Sequence, residues 1–285
     1  MPYTIITDSV CDIPRETLTE WGVRTIPVVF SSSDGTEYLD YDLPSEEFYR
    51  KMRDGVVFQT AATNTARYME AFEAVLKEGS DVLYLGFSSG LSSMYQSSVM
   101  AAEELRETYP DRKIITMDML AASGGLGFIV YLAVKKQQSG ASMTEVADYV
   151  RECLPHLCHW FTVDDLMFLH RGGRVSKTAA IAGTLLGIKP VLHVDDEGHL
   201  IPMEKVRGRG RAIATLAEKY LQTAKPQGGE YFISHGDCLE EAQKLAAMIQ
   251  EKSGVECTKL TTIGPVIGAH SGPGTIALFF LGEQR

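Results

Sequence analysis

The alternation of apolar and polar positions gives the chain two textures. Over the first half, short apolar runs alternate with stretches of helical period. Tyr3–Asp8 reads as an apolar strand, Pro14 opens a short helix, Val23–Phe30 reads as a second strand, and Gly35–Asp42 as a turn with a short extended piece. Ser45 stands as the N-cap of a helix that begins Glu46-Glu47-Phe48. Phe58–Thr65 reads as a polar loop and is followed by a helix near Ala66–Lys77. Asp81–Gly86 is an apolar strand, Ser93–Tyr109 has helical periodicity, Lys113–Met119 is a further strand, and Ser123–Gln138 and Thr144–Cys153 read as helices. Strand and helix in series predict a mostly parallel sheet with helices on both faces.

The second half is organised differently. Cys158–Val163 reads as a strand, Arg171–Ser176 as a basic, glycine-rich loop, and Ser176–Leu186 as a helix rich in small residues. Lys189–Val194 and His199–Val206 flank the turn Asp195-Asp196-Glu197-Gly198, the pattern of a hairpin. Gly210–Thr223 is amphipathic, Tyr231–Ser234 reads as a strand, Cys238–Ser253 as a helix, and Glu256–Ile263 and Thr275–Leu281 as strands. Hairpins mixed with long helices predict an α/β sandwich with a mixed or antiparallel sheet. The expected division is an N-terminal α/β domain over 1–157 and a C-terminal sandwich over 158–285, with Pro155 favouring a break. No internal repeat and no low-complexity linker interrupts either half.

Composition narrows the function classes. A chain of 285 residues with 45% hydrophobic and 22% charged positions can bury a sizeable core. A net charge of −10 argues against nucleic acid as a partner. No apolar run reaches the roughly 18 residues of a membrane span, so no stable membrane insertion is expected. The sequence enters a strand within its first residues without a secretory leader, and the expected location is the cytoplasm, with Cys11, Cys153, Cys158, Cys238 and Cys257 reduced. Cys153-x4-Cys158-His159 lacks a second ligand pair at zinc spacing, so these thiols are expected to be structural and no metal site is assigned.

Four loops carry candidate chemistry. Asp8-Ser9-Val10-Cys11-Asp12, Gln59–Thr65 and Ser88–Ser93 are expected at the C-terminal ends of strands, where open α/β sheets bind ligands. The stretch GFSSGLSSMYQSS at 86–98 holds six serines where a strand passes into a helix. Hydroxyls and free N–H groups at a helix N-terminus suit a phosphate or carboxylate, and Ser92 or Ser93 as a simple helix cap is the competing reading. Gly90-Leu91-Ser92-Ser93-Met94 lacks the final glycine of a nucleophile elbow, and the sequence pairs none of His170, His235 and His270 with a serine. Phosphate-binding G-x-x-x-x-G-K-[ST] and dinucleotide G-x-G-x-x-G patterns are both missing. The fourth loop, Gly264–Gly274, sets His270 among glycines and prolines that permit close backbone approach. Arg171 and Arg174 are either solvated charge or a site for a phosphate or an acidic partner.

With these loops in hand, the chain resembles the DegV family of bacterial fatty-acid-binding proteins over essentially its whole length. The resemblance rests on Asp8-Ser9-x-x-Asp12, Phe87–Gln96, Leu169–Ser176 and Ile267–Gly274, in the same order. It implies a non-enzymatic carrier that holds one long-chain fatty acid, such as palmitate, in an apolar tunnel between two α/β domains, with no cofactor. Thr60 and Ser92 match the positions that meet the carboxylate, and His270 and Arg171 match positions near the head group or its exit. The family usually reads Thr-Ser-Gln-Pro where this chain has Thr60-Ala61-Ala62-Thr63, which leaves Thr63 beside Thr60 as a candidate. Ser93 replaces a glycine and adds a side chain near the head group. The expected carboxylate site is therefore Thr60, Ser92, Thr63, Ser93 and His270, with Arg171 and Arg174 contacting a partner or a phosphate. The implied partner is the ATP-binding subunit of a fatty-acid kinase, which makes an acyl phosphate for phospholipid synthesis. The rival readings are an acyl hydrolase or phosphotransferase built on a Ser/His site, and a binder of another small anion such as a sugar phosphate.

Overall fold

The computed structural model describes residues 2–176, 187–225 and 229–285. All of the helix expected at Ser176–Leu186, except Ser176 itself, lies outside the described residues. In chain order the first half contains β1 (Tyr3–Asp8), α1 (Arg15–Glu20), β2 (Arg24–Ile26), β3 (Val29–Ser32), β4 (Glu37–Leu39), α2 (Ser45–Arg53), β5 (Phe58–Ala61), α3 (Thr65–Lys77), β6 (Asp81–Gly86), α4 (Met94–Thr108), β7 (Ile114–Asp118), α5 (Gly124–Gln138) and α6 (Met143–Cys153). The second half contains β8 (Leu157–Thr162), α7 (Met167–Arg171), β9 (Ile188–Val194), β10 (Leu200–Arg207), α8 (Arg209–Thr223), β11 (Tyr231–His235), α9 (Leu239–Ser253), β12 (Lys259–Thr262), α10 (Pro265–Ser271) and β13 (Ile276–Leu281).

The strands form three sheets. A parallel sheet runs β2-β1-β6-β7, as the strand–helix alternation predicts. A mixed sheet runs β10-β9-β8-β13-β11-β12, antiparallel except where β11 meets β12. The third, β4-β3-β5, is small and antiparallel; the short extended piece expected within Gly35–Asp42 supplies β4, whereas β5 falls where a loop is expected. Helices cover both faces of the parallel sheet, α3 and α4 on one and α5 on the other, with α6 packed on α5.

Three expectations are corrected. The strand expected at Val23–Phe30 divides at Pro27, which has no N–H for the ladder; Val28 instead donates its N–H to Ser9 Oγ at 3.1 Å. The polar loop expected at Phe58–Thr65 begins as a strand, with Thr60 opposite Phe30 and Ala61 opposite Val29. Only Phe58 of that strand is buried, so its local pattern is that of a loop, and its pairing partner lies far back in the chain. The glycine-rich loop expected at Gly264–Gly274 contains α10, with Pro265 at the first turn. A Cβ on Gly268 would stand 2.7 Å from both Phe48 Cε1 and Tyr49 Oη, so glycine lets this helix lie directly on α2.

The two large sheets are joined by α5. Ten of its residues are buried, from Gly124 through Val134, so it shows no polar stripe until its last turn. Its N-terminal glycines set its position. A Cβ on Gly124 would stand 2.8 Å from Phe279 Cε2, one on Gly125 would run into the His159 ring, and one on Gly127 would stand 2.6 Å from the Cys11 carbonyl. The first two contacts are to the mixed sheet and the third is to the turn after β1. Gly125→Ala is therefore expected to lower stability by about 1–3 kcal/mol. In Gly210→Ala a Cβ at Gly210 meets no atom within 4 Å, and stability should hold or rise slightly. Urea unfolding of the two variants measures the difference.

Candidate functional site

An apolar cavity lies where the parallel, mixed and small sheets approach one another. It holds about 940 Å3 of empty space, its open mouth included. Phe87, Leu91, Leu169, Val194, Ile267 and Phe279 form much of its wall. Its lining draws on β5, on the loops after β1, β6 and β7, and on α10 and the mixed sheet, so residues from both halves of the sequence enclose it.

Polar groups are few on this wall. Thr60 Oγ1 and His270 Nε2 lie 2.8 Å apart and join β5 to α10 across 210 positions of sequence. Burial, with Arg174 as the secondary cause, pulls the His270 imidazolium down to about 4, so the ring is neutral at neutral pH. Gly172 is what admits the ring, since a Cβ there would overlap its Nδ1, and that nitrogen has no partner among the described residues. Ser92 also lines the cavity, and its Oγ accepts the Met94 N–H at 3.4 Å. Arg174 lines the wall too, and three of its five N–H groups are engaged: Nε and Nη2 donate to the Leu91 carbonyl at 3.2 and 2.9 Å, and Nη1 donates to the Gly172 carbonyl.

The other candidates lie elsewhere. Thr63 is buried beside Tyr68 and is not part of the cavity wall. Ser93 is exposed at the start of α4 and makes no side-chain capping bond. Arg171 is exposed at the end of α7, its guanidinium 4.9 Å from the centre of the Phe168 ring. The structure thus brings Thr60, His270, Ser92 and Arg174 to one cavity and leaves Thr63, Ser93 and Arg171 off its wall.

Most of the remaining loop hydroxyls and carboxylates hold the walls in place. Buried Asp8 accepts from Tyr68 Oη (2.8 Å) and Tyr84 Oη (2.6 Å) and from the Phe87 N–H (3.0 Å), which fixes the start of the serine loop. Ser88 Oγ donates to the Gly198 carbonyl at 2.9 Å and ties that loop to the β9–β10 hairpin. Asp12 accepts from Ser123 Oγ at 2.5 Å and from the Gly264 N–H at 2.9 Å, so one carboxyl spans the entrances of α5 and α10. The Gln59–Thr65 segment departs from the expected arrangement, because its strand belongs to the small antiparallel sheet and not to the C-terminal edge of the parallel one. Ser123 before α5, Ser271 in α10, Thr275 before β13 and His159 in β8 line the cavity as well; a polar residue on a buried strand such as His159 carries no local sign of what it faces.

No helix among the described residues is long and apolar enough to cross a membrane. The chain matches a family model described as "Uncharacterised protein, DegV family" over residues 2–283. It is 42% identical to a DegV domain-containing protein of Clostridium perfringens, with 99% of this chain and 98% of the relative covered. A DegV family protein from Thermus thermophilus, solved for its fatty acid binding, superposes with a TM-score of 0.87 at 27% identity, covering 99% of this chain and 100% of that one. A stearic acid-binding protein from Eubacterium ventriosum superposes with a TM-score of 0.88 at 25% identity, covering 99% and 98%.

Burial raises the Asp12 carboxyl to about 8, with nearby Asp40 adding to the shift and the hydrogen bonds from Ser123 and Gly264 opposing it. The folded chain therefore holds a proton at Asp12 that the unfolded chain has released. This contribution to stability is present at low pH and is lost as pH rises through about 8. His270 and His193 act in the opposite sense, but only below their ordinary value of 6.5. Thermal unfolding between pH 6.5 and about 8.5, the upper limit set by unfolded thiols, should show a falling midpoint. Asp12→Asn should flatten that slope.

Proposed function

This chain belongs to the DegV family, and on that premise we propose that it is a carrier that binds one long-chain fatty acid in this cavity and presents its carboxylate to a kinase. The observation that carries the reading is the Thr60–His270 pair, a neutral donor system set in an otherwise largely apolar wall. With Nε2–H donating to Thr60 Oγ1, the threonine hydroxyl is free to donate to a carboxylate, and each bond polarises the next. Ser92 supplies a second hydroxyl. The acyl chain provides most of the affinity: burial is worth roughly 0.8 kcal/mol per methylene, about 11 kcal/mol for palmitate. That is of the size needed to offset the cost of association and ordering.

In this reading residues 1–157 and 158–285 are the two domains, and the ligand lies where they meet. The carboxylate rests on neutral groups while Arg174 donates to backbone carbonyls, so it keeps more nucleophilic character than a direct ion pair would leave it. A carboxylate oxygen attacks the γ-phosphorus of ATP held by the partner, ADP departs, and the acyl phosphate enters phospholipid synthesis. Dependence on ATP places this work in the cytoplasm. Exposed Arg171 suits contact with that partner. Hydrolysis by a Ser/His site is the weaker reading: the imidazole meets Thr60 and not Ser92, and no group among the described residues bonds Nδ1 to orient it as a base.

Native mass spectrometry of the purified protein, followed by organic extraction, is expected to show one fatty acid per chain. A protein that carries none and takes up no added palmitate overturns the reading. Thr60→Val combined with Ser92→Ala should weaken palmitate binding by about 10- to 100-fold, the worth of a hydrogen bond to a charged group. Arg171→Ala should retain the lipid and lose kinase-dependent phosphorylation; loss of lipid instead would place Arg171 in the binding site.

A further inference from the structure

From the buried turn after β1 we propose that Asp12 is a positioning residue for the ligand's head group: its carboxyl, bonded to the entrances of α5 and α10, holds His270 against Thr60. The inference rests on the fatty-acid reading above and adds a residue that is not itself part of the cavity wall. Asp12 Oδ2 meets Ser123 Oγ at 2.5 Å, and Oδ1 accepts the Gly264 N–H at 2.9 Å. Ser123 lines the cavity, and so do Ile263 and Val266 on either side of the α10 entrance. A Cβ on Gly264 would stand 3.1 Å from Asp12 Oδ1, so glycine admits the carboxyl to this N–H.

His270 lies two helical turns beyond Gly264, about 9 Å along the axis. The helix between them is bonded throughout, with Gly268 N–H on the Gly264 carbonyl and Gly272 N–H on the Gly268 carbonyl, both at 2.8 Å. A shift of its first residue is therefore carried to the His270 ring. The turn that holds this end also holds the other partner. Ser9 Oγ accepts the Val28 N–H at the start of β3, and β3 sets Phe30 opposite Thr60. One short turn, Ser9 to Asp12, thus places Thr60 through β3 and His270 through α10. Asp12 and Ser123 keep their bond with φ of 53° and 55°, a backbone region that suits glycine better than either.

The titratable groups facing the carboxyl are Cys11 on its own turn, Asp40 and Tyr41 from the loop between β4 and α2, and Tyr49 in α2. Arg15 and Glu16 of α1 stand on the wall of the cleft that Asp12 also lines, and α5 and α10 contribute Ser123 and Gly264, which do not titrate. Burial lifts Asp12 to about 8, so it keeps its proton at neutral pH. A neutral acid offers a carbonyl acceptor and one O–H. The acceptor takes the Gly264 N–H, and the O–H is shared with Ser123 Oγ. Asparagine reproduces both bonds and alanine neither.

The test is binding of palmitate and of 1-hexadecanol, which has the chain without the carboxylate, to delipidated wild type, Asp12→Ala and Asp12→Asn. Asp12→Ala should weaken palmitate about tenfold and hexadecanol less than about twofold, and Asp12→Asn should restore palmitate to within about twofold of wild type. In a His270→Gln background Asp12→Ala should cost no further affinity. Because Asp12→Ala can fail to fold, wild type and Asp12→Asn labelled with 15N-histidine give a second readout. The His270 ring is already neutral above its ordinary value, yet in wild type it should show a step with the Asp12 midpoint of about 8, and in Asp12→Asn no step. Equal loss of palmitate and hexadecanol, a loss undiminished in His270→Gln, or an Asp12→Asn protein as weak as Asp12→Ala overturns the inference and leaves the fatty-acid reading intact. So does a His270 ring without the step in wild type, or one that keeps it in Asp12→Asn. A wild-type protein that binds neither ligand overturns this inference together with the reading beneath it.

Discussion

The contact on which the rest of the structure depends is the seating of α5 against the mixed sheet and the turn after β1 at once. Side chains at Gly124, Gly125 or Gly127 would hold the helix away from Phe279, His159 or the Cys11 carbonyl. With hydrogens there, the helix start reaches the bottom of the cavity, where Ser123 forms part of the wall. A close-packed interior transmits such a constraint directly, because a helix displaced by one methyl group displaces what it touches.

The polar residues of the loops divide into those that fix the walls and those that face the cavity. Asp8, Ser9, Asp12 and Ser88 all spend their side chains on other loops: on Phe87, Val28, Ser123 with Gly264, and Gly198. Each bond spans parts of the sequence that approach only in the folded chain, and burial strengthens each one. The serine stretch at 86–98 therefore has more than one task. Ser88 ties down the hairpin, Ser98 Oγ donates to the Tyr95 carbonyl at 2.6 Å, and Ser92 faces the cavity.

Charge is kept off the cavity wall as far as its chemistry permits. Burial holds His270 and His159 neutral, and the Arg174 guanidinium donates to two backbone carbonyls. A group entering this space meets neutral dipoles and a guanidinium that already donates to backbone carbonyls. Such a site suits a ligand that is largely apolar and is oriented by a few hydrogen bonds.

The sequence by itself determined the local elements of the two large sheets. Their strands are apolar runs bounded by turn residues, and the helices between them carry their period in about a dozen consecutive positions, so the information is local. Motifs whose order along the chain resembles one family also set Thr60, Ser92 and His270 in one expected site, and all three line one cavity. What the sequence left open was set by partners distant along the chain. Phe58–Ala61 is a strand because β3 accepts it, Gly264–Gly274 holds a helix because α2 leaves a surface that only glycine can approach, and Thr63 turns inward beside Tyr68 and away from the cavity. His159 is the clearest case. In sequence it is one polar residue in a buried strand beside Cys158, and only the pairing of β8 with β13 sets its ring on the cavity wall. Propensity and period act over a few residues, whereas the direction in which a side chain faces, and what it meets there, is decided by register between segments that lie far apart in the sequence.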